Sequence, residues 1–233
     1  MAFLLLIETS GIVCSVALSK GYTLLAINES HIKNSHSELI CDFTHDVLKK
    51  AHADISALDA VVVSMGPGSY TGLRIGVSVA KGLCYALEKP LISVGTLAAM
   101  AFGATAFHKD LLEDAIFCPM IDARRMEIYT ALYDFHNKEI MPPSAEIINE
   151  ASFSDILQHQ KVMFFGDGME KCKHLLQKHK NANFLDNFQA SAAYMVSEGF
   201  RKYQEQQFED IAGFEPFYLK EFIAGKPNVK GLK

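Results

Sequence analysis

A chain of 233 residues, 49% of them hydrophobic, can bury a large core in one large domain or in two modest lobes. With 22 Lys plus Arg against 27 Asp plus Glu, the formal net charge is −5 and no run of like charge forms a basic arm, which argues against a strong unaided grip on nucleic acid. Five cysteines, Cys14, Cys41, Cys84, Cys118 and Cys172, stand far apart with no C-x-x-C pair, so they read as small buried hydrophobes of a reducing compartment and not as a disulfide framework or zinc site.

The chain opens on "MAFLLLIETSG", which lacks a basic n-region and has an apolar run too short for a signal peptide or a membrane span; a cytoplasmic location is the expectation. "FLLLIET", "VCSVALS" and "TLLAINE" predict an antiparallel meander, turned at "SGI" and "KGY". "SHSELICDFTHDVLKKAH" places Leu39, Ile40, Phe43, Val47 and Leu48 on one helical face, with Ser35 or Ser37 as N-cap. The β-branched run "LDAVVVSMG" predicts a buried strand beside parallel neighbours. A glycine-rich turn follows, then a helix from about Thr71 to Leu87 stopped by Pro90, the short strand "LISVGT" and the helix "LAAMAFGATAF".

Beyond Lys109 the pattern starts again. "AIFCPMIDA" and "MEIYTALYDF" form a hairpin, and "EIIN", "FSDILQHQ", "KVMFFGDG", "MEKCKHLLQKH" and "SAAYMVSEGFRKYQEQ" alternate strand and helix. The expectation is a mixed α/β protein with an N-terminal lobe over 1–108 and a C-terminal lobe over 109–233, similar to the duplicated architecture of actin, hexokinase and Hsp70. The closing "AGKPNVKGLK" has the composition of a flexible tail.

The turn in "MGPGSYTGLRIGVSVAKG" invites three chemical readings that its spacing does not satisfy. A P-loop needs G-x-x-x-x-G-K-[ST], but Leu73 follows Gly72. A dinucleotide fingerprint needs G-x-G-x-x-G after a first strand, whereas Gly66, Gly68 and Gly72 are spaced G-x-G-x-x-x-G after about the fourth. A nucleophile elbow needs G-x-S-x-G, and Ser69 has no glycine two residues to either side. Gly72, Gly76 and Ala80 instead fall at i, i+4 and i+8, a stripe nearly without side chains, with Leu73 and Val77 beside it. A helical glycine costs about 1 kcal/mol relative to alanine, so two imply the close approach of another element. The residues alone leave open whether that element lies in this chain or in a second protein.

Glu8, Thr9, Ser10 and Gly11 end the first strand at a tight turn, where actin-like folds present small polar groups to nucleotide phosphates; a solvated turn with hydroxyls is the equal alternative. The nine histidines offer no H-x-x-x-H: His31 meets Ser35, His36 meets Ile40, His45 meets Lys49 and His174 meets Lys178. No metal site and no catalytic residue is therefore assigned. Asp122, Arg124 and Asp167 sit where strands run into turns, positions equally suited to function and to turn capping.

"IETS", "NSHSELI", "MGPGSYTGLRIGVSVAKGL", "IDARRMEIY", "FFGDG" and "PFYLKEF", in this order, resemble the TsaB family, formerly YeaZ. The glycine-rich segment is the most specific, close to the family's G-P-G-S-[FY]-T-G-L-R-I-G. The resemblance implies an actin-like ASKHA fold and a non-catalytic subunit that pairs with TsaD, a metal-bearing paralogue, in a complex with the small ATPase TsaE. That complex installs threonylcarbamoyl on the adenosine beside the anticodon of ANN-decoding tRNAs. It further implies that Leu39, Phe43, Gly72, Leu73, Gly76, Val77 and Ala80 face the partner, that tRNA binds only through the complex, and that the chain alone could form a homodimer. No cofactor is required, with ATP or ADP held at Glu8–Gly11 weakly or only in the complex. Two other classes stay in view: an ASKHA ATPase or sugar kinase, although Glu8 replaces the aspartate of D-x-G-[TG]-x-[TS], and a metallopeptidase, which needs the metal site the residues do not provide.

Overall fold

The computed structural model describes residues 1–33, 35–107 and 114–220. The expected lobe boundary at 108/109 and the tail 224–233 lie outside them.

β1 (Phe3–Glu8), β2 (Cys14–Lys20) and β3 (Thr23–Ser30) form the antiparallel meander, and β4 (Ala60–Gly66) and β5 (Leu91–Gly95) join parallel to β1, giving the order β3-β2-β1-β4-β5. Strand β1 is central and buried on both faces, which is why Leu4 to Ile7 is an unbroken apolar run. Leu5, Ile7, Val61 and Val63 point to α1 (His36–Lys50) and α2 (Tyr70–Leu87), where Ile40, Val47, Val77, Ala80 and Cys84 complete one core. Leu4, Leu6, Val62 and Val94 face the other way.

The second sheet runs β10-β9-β6-β7-β8, built from β6 (Ile116–Asp122), β7 (Glu127–Tyr133), β8 (Glu139–Ile147), β9 (Val162–Phe165) and β10 (Ala182–Leu185). One face packs on α4 (Ser154–His159) and α5 (Met169–Leu176) through Leu157, Met169, Cys172 and Leu176. The other packs on α3 (Thr96–Phe107) through Leu97, Met100, Ala101 and Ala104, while Ala99 of the same helix joins the core of the first sheet. A helix apolar all round, "LAAMAFGATAF", is what a position between two sheets requires.

Two features depart from expectation. β8 carries Pro142 and Pro143, which would break an interior ladder but are tolerated at the edge of a sheet. The segment after residue 190, grouped by the sequence with the second lobe, returns to the first: Ala192, Met195, Val196 and Phe200, from a 3₁₀ turn and α6 (Val196–Gln204), cover Leu4, Leu6 and Val62. The last helix of the expected C-terminal lobe thus packs on the first sheet.

Candidate functional site

The end of β1 is built as a buried node. Glu8 is 1% exposed, and its carboxylate accepts the Ser10 N–H at 2.6 Å and the Ser64 hydroxyl at 3.1 Å. Burial pushes this carboxyl above its ordinary range, against the opposing pull of those hydrogen bonds. Glu8 and Thr9 lie beneath the surface, so of the four residues expected at a nucleotide only Ser10 and Gly11 line the cleft between the lobes.

The glycines of the opening turn are moulded around this node. A Cβ on Gly68 would stand 2.4 Å from the Ser10 carbonyl oxygen, one on Gly72 2.1 Å from that of Thr9, and one on Gly76 2.2 Å from Thr9 Oγ1. Such distances are far inside van der Waals contact, so only glycine lets α2 lie this close to β1. Gly66 is constrained as well: its φ is +111°, and a Cβ would meet the Phe217 carbonyl oxygen at 2.7 Å.

This corrects the expectation for the small-residue stripe. Gly72, Leu73, Gly76, Val77 and Ala80 are all buried within the chain, against β1 and its neighbours, and present no surface to a second protein. Leu39 and Phe43 are half-buried on the rim of the same core. The outward face of α2 is a different set: Thr71, Arg74, Ser78, Gly82 and Tyr85. Tyr85 is 82% exposed, and a Cβ on Gly82 would have no heavy atom within 4 Å. Beside that face, α1 and α2 enclose an apolar groove of about 430 Å³ whose walls include Cys41, Thr44, Leu48, Val79 and Leu83.

The cleft between the lobes has a volume of about 640 Å³, within the usual range of roughly 300–1,000 Å³ for small-molecule sites. Asp122, Arg124 and Asp167, separated in sequence, meet on its second-lobe wall. Asp122 accepts the Arg124 N–H at 2.8 Å and pairs with Lys171, and Asp167 accepts the Asp122 N–H at 2.9 Å. Burial raises the Asp167 carboxyl. The first-lobe wall carries Ser10, His36 and the first turn of α2. A segment of the C-terminal region closes one side: the Phe217 N–H donates to the Met65 carbonyl at 2.7 Å, the Tyr218 ring lies 5.0 Å from that of Tyr70, and Lys220 bonds Glu127 of β7 at 2.6 Å. Sequence reasoning found the three residues of the second-lobe wall but treated His36 only as a missing metal ligand. Gly82 and Tyr85 carry no sequence signal of their own, because the spacing of Leu73, Val77 and Cys84 does not say whether their face packs within the chain or on a partner.

Among the described residues, no group of three or more His, Cys, Asp or Glu side chains is disposed to hold a metal ion, and no helix is long and apolar enough to cross a membrane.

Residues 27–224 match the family model of TsaD, tRNA N6-adenosine threonylcarbamoyltransferase. The chain is 28% identical over 222 residues to the tRNA threonylcarbamoyladenosine biosynthesis protein TsaB of Bacillus subtilis, with 93% of each chain covered. It is 41% identical over 81 residues to a tRNA N6-adenosine threonylcarbamoyltransferase of Syntrophomonas wolfei, covering 35% of this chain and 24% of that one. YeaZ from Pseudomonas aeruginosa superimposes with a TM-score of 0.79 at 24% identity, over 94% of this chain and 100% of that one. The fold is of the actin-like ASKHA class. With the match running through both sheets, the chain belongs to the family of the TsaD model and, within it, to the TsaB, or YeaZ, family.

Proposed function

We propose that this chain acts in tRNA threonylcarbamoyladenosine biosynthesis as the non-catalytic partner of a TsaD-type transferase, in the complex that modifies the adenosine next to the anticodon of tRNAs reading ANN codons. The names of its relatives support the pathway, and one observation carries the partner role. Gly82 stands in the interior of an 18-residue helix, on its outward face, where a Cβ would meet none of the described residues within 4 Å. A helical glycine is a cost of about 1 kcal/mol. Among the described residues no contact uses it, in contrast to Gly72 and Gly76, and we read its benefit as coming from a second protein that approaches the α2 backbone there.

The docking face then comprises Ser78, Gly82 and Tyr85, flanked by the half-buried Leu39, Phe43, Val79 and Leu83 beside the α1–α2 groove. A partner helix laid along α2 would seat apolar side chains in that groove. The same face allows self-pairing when the partner is absent. In this reading a TsaE-like ATPase joins the pair, the location is cytoplasmic, and the chain itself needs no cofactor. With a net charge of −5 it brings few counterion-releasing contacts to tRNA, which is held by the complex.

The test is size-exclusion chromatography with light scattering on this chain mixed with the TsaD-type protein of the same genome, followed by gel shift with tRNA at physiological salt. A 1:1 assembly that shifts tRNA while the chain alone does not is the expected result. Failure to assemble, or tight tRNA binding by the isolated chain, would refute the reading.

A further inference from the structure

We infer that the tip of the β6–β7 hairpin, Arg124 and Arg125, is this chain's own contact with the phosphate backbone of RNA, engaged when the assembled complex holds tRNA. The inference rests on the proposed role in tRNA modification and adds to it a surface of this chain that touches the nucleic acid.

The chain has four arginines, at 74, 124, 125 and 201. Arg201 is held by Glu198 and Glu205 on α6, and Arg74 donates to the Tyr70 hydroxyl and lies over its ring. Arg124 and Arg125 are both exposed, and among the described residues neither guanidinium has a hydrogen-bond or ion-pair partner.

The backbone beneath them does not favour arginine. Arg124 has φ +70° and Arg125 φ +48°, two consecutive residues in the left-handed region that hairpin turns ordinarily fill with asparagine, aspartate or glycine. Asp122 accepts the Arg124 N–H at 2.8 Å, and the Glu127 N–H donates to the Arg124 carbonyl at 3.1 Å, so the loop is closed by backbone groups that any residue supplies. Arginine does nothing for such a turn, and its presence twice serves the side chains.

The surrounding charge leaves both cations uncompensated. Asp122 and Glu127, the carboxylates at the two strand ends, are each taken by a lysine: Lys171 of α5 pairs with Asp122, and Lys220 with Glu127 at 2.5 Å. Asp167 sits behind them, half-buried, and accepts the Asp122 N–H. On a chain of net charge −5, the cations left without a counter-charge here are the two arginines of the tip. The loop itself carries no apolar anchor: Ala123 and Met126 are half-buried, and Met126 packs against the core of the second sheet. Protein interfaces centre on buried aromatic or aliphatic side chains, whereas nucleic acid is gripped first through phosphate oxygens, which a guanidinium fork meets with paired N–H donors.

Arg124→Asn with Arg125→Gly installs residues that such a turn favours and deletes both charges, so this double variant should melt at or above the wild-type temperature. It is compared with wild type and with Arg124→Lys/Arg125→Lys, each assembled with the TsaD-type protein of the same genome. Size-exclusion chromatography reads assembly, and fluorescence anisotropy reads binding of an unmodified tRNA transcript for an ANN codon from roughly 50 to 200 mM salt. The charge-deleted chain should assemble as wild type does and bind tRNA about tenfold more weakly at physiological salt. Its log–log salt dependence should be shallower by about 1.5, the loss of two phosphate contacts, while the lysine variant keeps most of the slope. A wild-type assembly that binds no tRNA would overturn the proposed role and this contact with it. Unchanged affinity and slope in the charge-deleted assembly would overturn the contact alone. So would a charge-deleted chain that folds but no longer assembles, which would turn the tip towards the protein partner, or one that melts below wild type, which would make the arginines part of the turn.

Discussion

Gly76 packs directly on Thr9: a Cβ at residue 76 would stand 2.2 Å from Thr9 Oγ1. The contact joins the middle of α2 to the end of β1, and with Gly72 on the Thr9 carbonyl it sets the helix against the first sheet. The glycine-rich stretch is therefore a packing device of this chain, and the surface it leaves for partners is the opposite side of the same helix.

Gly76→Ala should destabilise the free protein although alanine is the better helix former. Overpacking of this kind costs about 1–3 kcal/mol and sometimes more, against a propensity gain of about 1 kcal/mol. Thr9→Ala removes the oxygen in the way, so the two substitutions should couple by about 1 kcal/mol or more in a double-mutant cycle measured by urea unfolding. Additive effects would contradict the contact.

Gly103 should behave in the same way at the junction of the two sheets. A Cβ there would lie 2.4 Å from Cγ of Tyr194, whose ring is stacked on Phe188 at 5.3 Å. Gly103→Ala must push this ring aside, and a net loss of about 1–2 kcal/mol is expected by denaturant titration. A gain equal to the helix propensity of alanine would show that the ring yields freely.

Glu8 makes stability depend on pH. Its folded carboxyl is raised by burial, so the native state holds its proton more tightly than the unfolded chain does. The stability this contributes is complete below the ordinary carboxylate value and is lost as pH rises through the folded value. Glu8→Gln keeps an acceptor for Ser10 and Ser64 without the charge. Its melting temperature relative to wild type should therefore increase as pH is raised from about 4 to 8, levelling above the folded value. Part of the wild-type decline will persist in the variant, because burial raises Asp167 too. A difference that is flat with pH, or that falls, would contradict this account.

Much of this architecture is legible in the residues. The apolar runs of β1 and β4, the amphipathic α1 and the all-apolar α3 each announce a position, because burial on two faces and on one leave different patterns. β8 is harder to read, since Pro142 and Pro143 argue against a strand until its place at a sheet edge is known, and β10 is only four residues long. The return of α6 to the first sheet has no local signature, as an apolar stripe does not say which sheet it will cover. The cleft is half legible: Asp122, Arg124 and Asp167 lie at strand ends, but their meeting with Ser10 and His36 comes from two crossings of the chain. The orientation of α2 is legible only in part. Leu73, Val77 and Cys84 share a face with Gly72, Gly76 and Ala80, but a close-packing face reads the same whether its neighbour is in this chain or in another.

The most direct test of the partner role is the affinity of Gly82→Leu for the TsaD-type protein, measured with the variant's melting temperature on the same preparation. The side chain meets none of the described residues and replaces a helical glycine, so stability should hold or rise by about 1 kcal/mol. Where a partner helix lies close to the α2 backbone, the same side chain should weaken association at least tenfold, on the order of 1.4 kcal/mol. A Gly82→Leu protein that folds and binds its partner with wild-type affinity would contradict the assignment of this face.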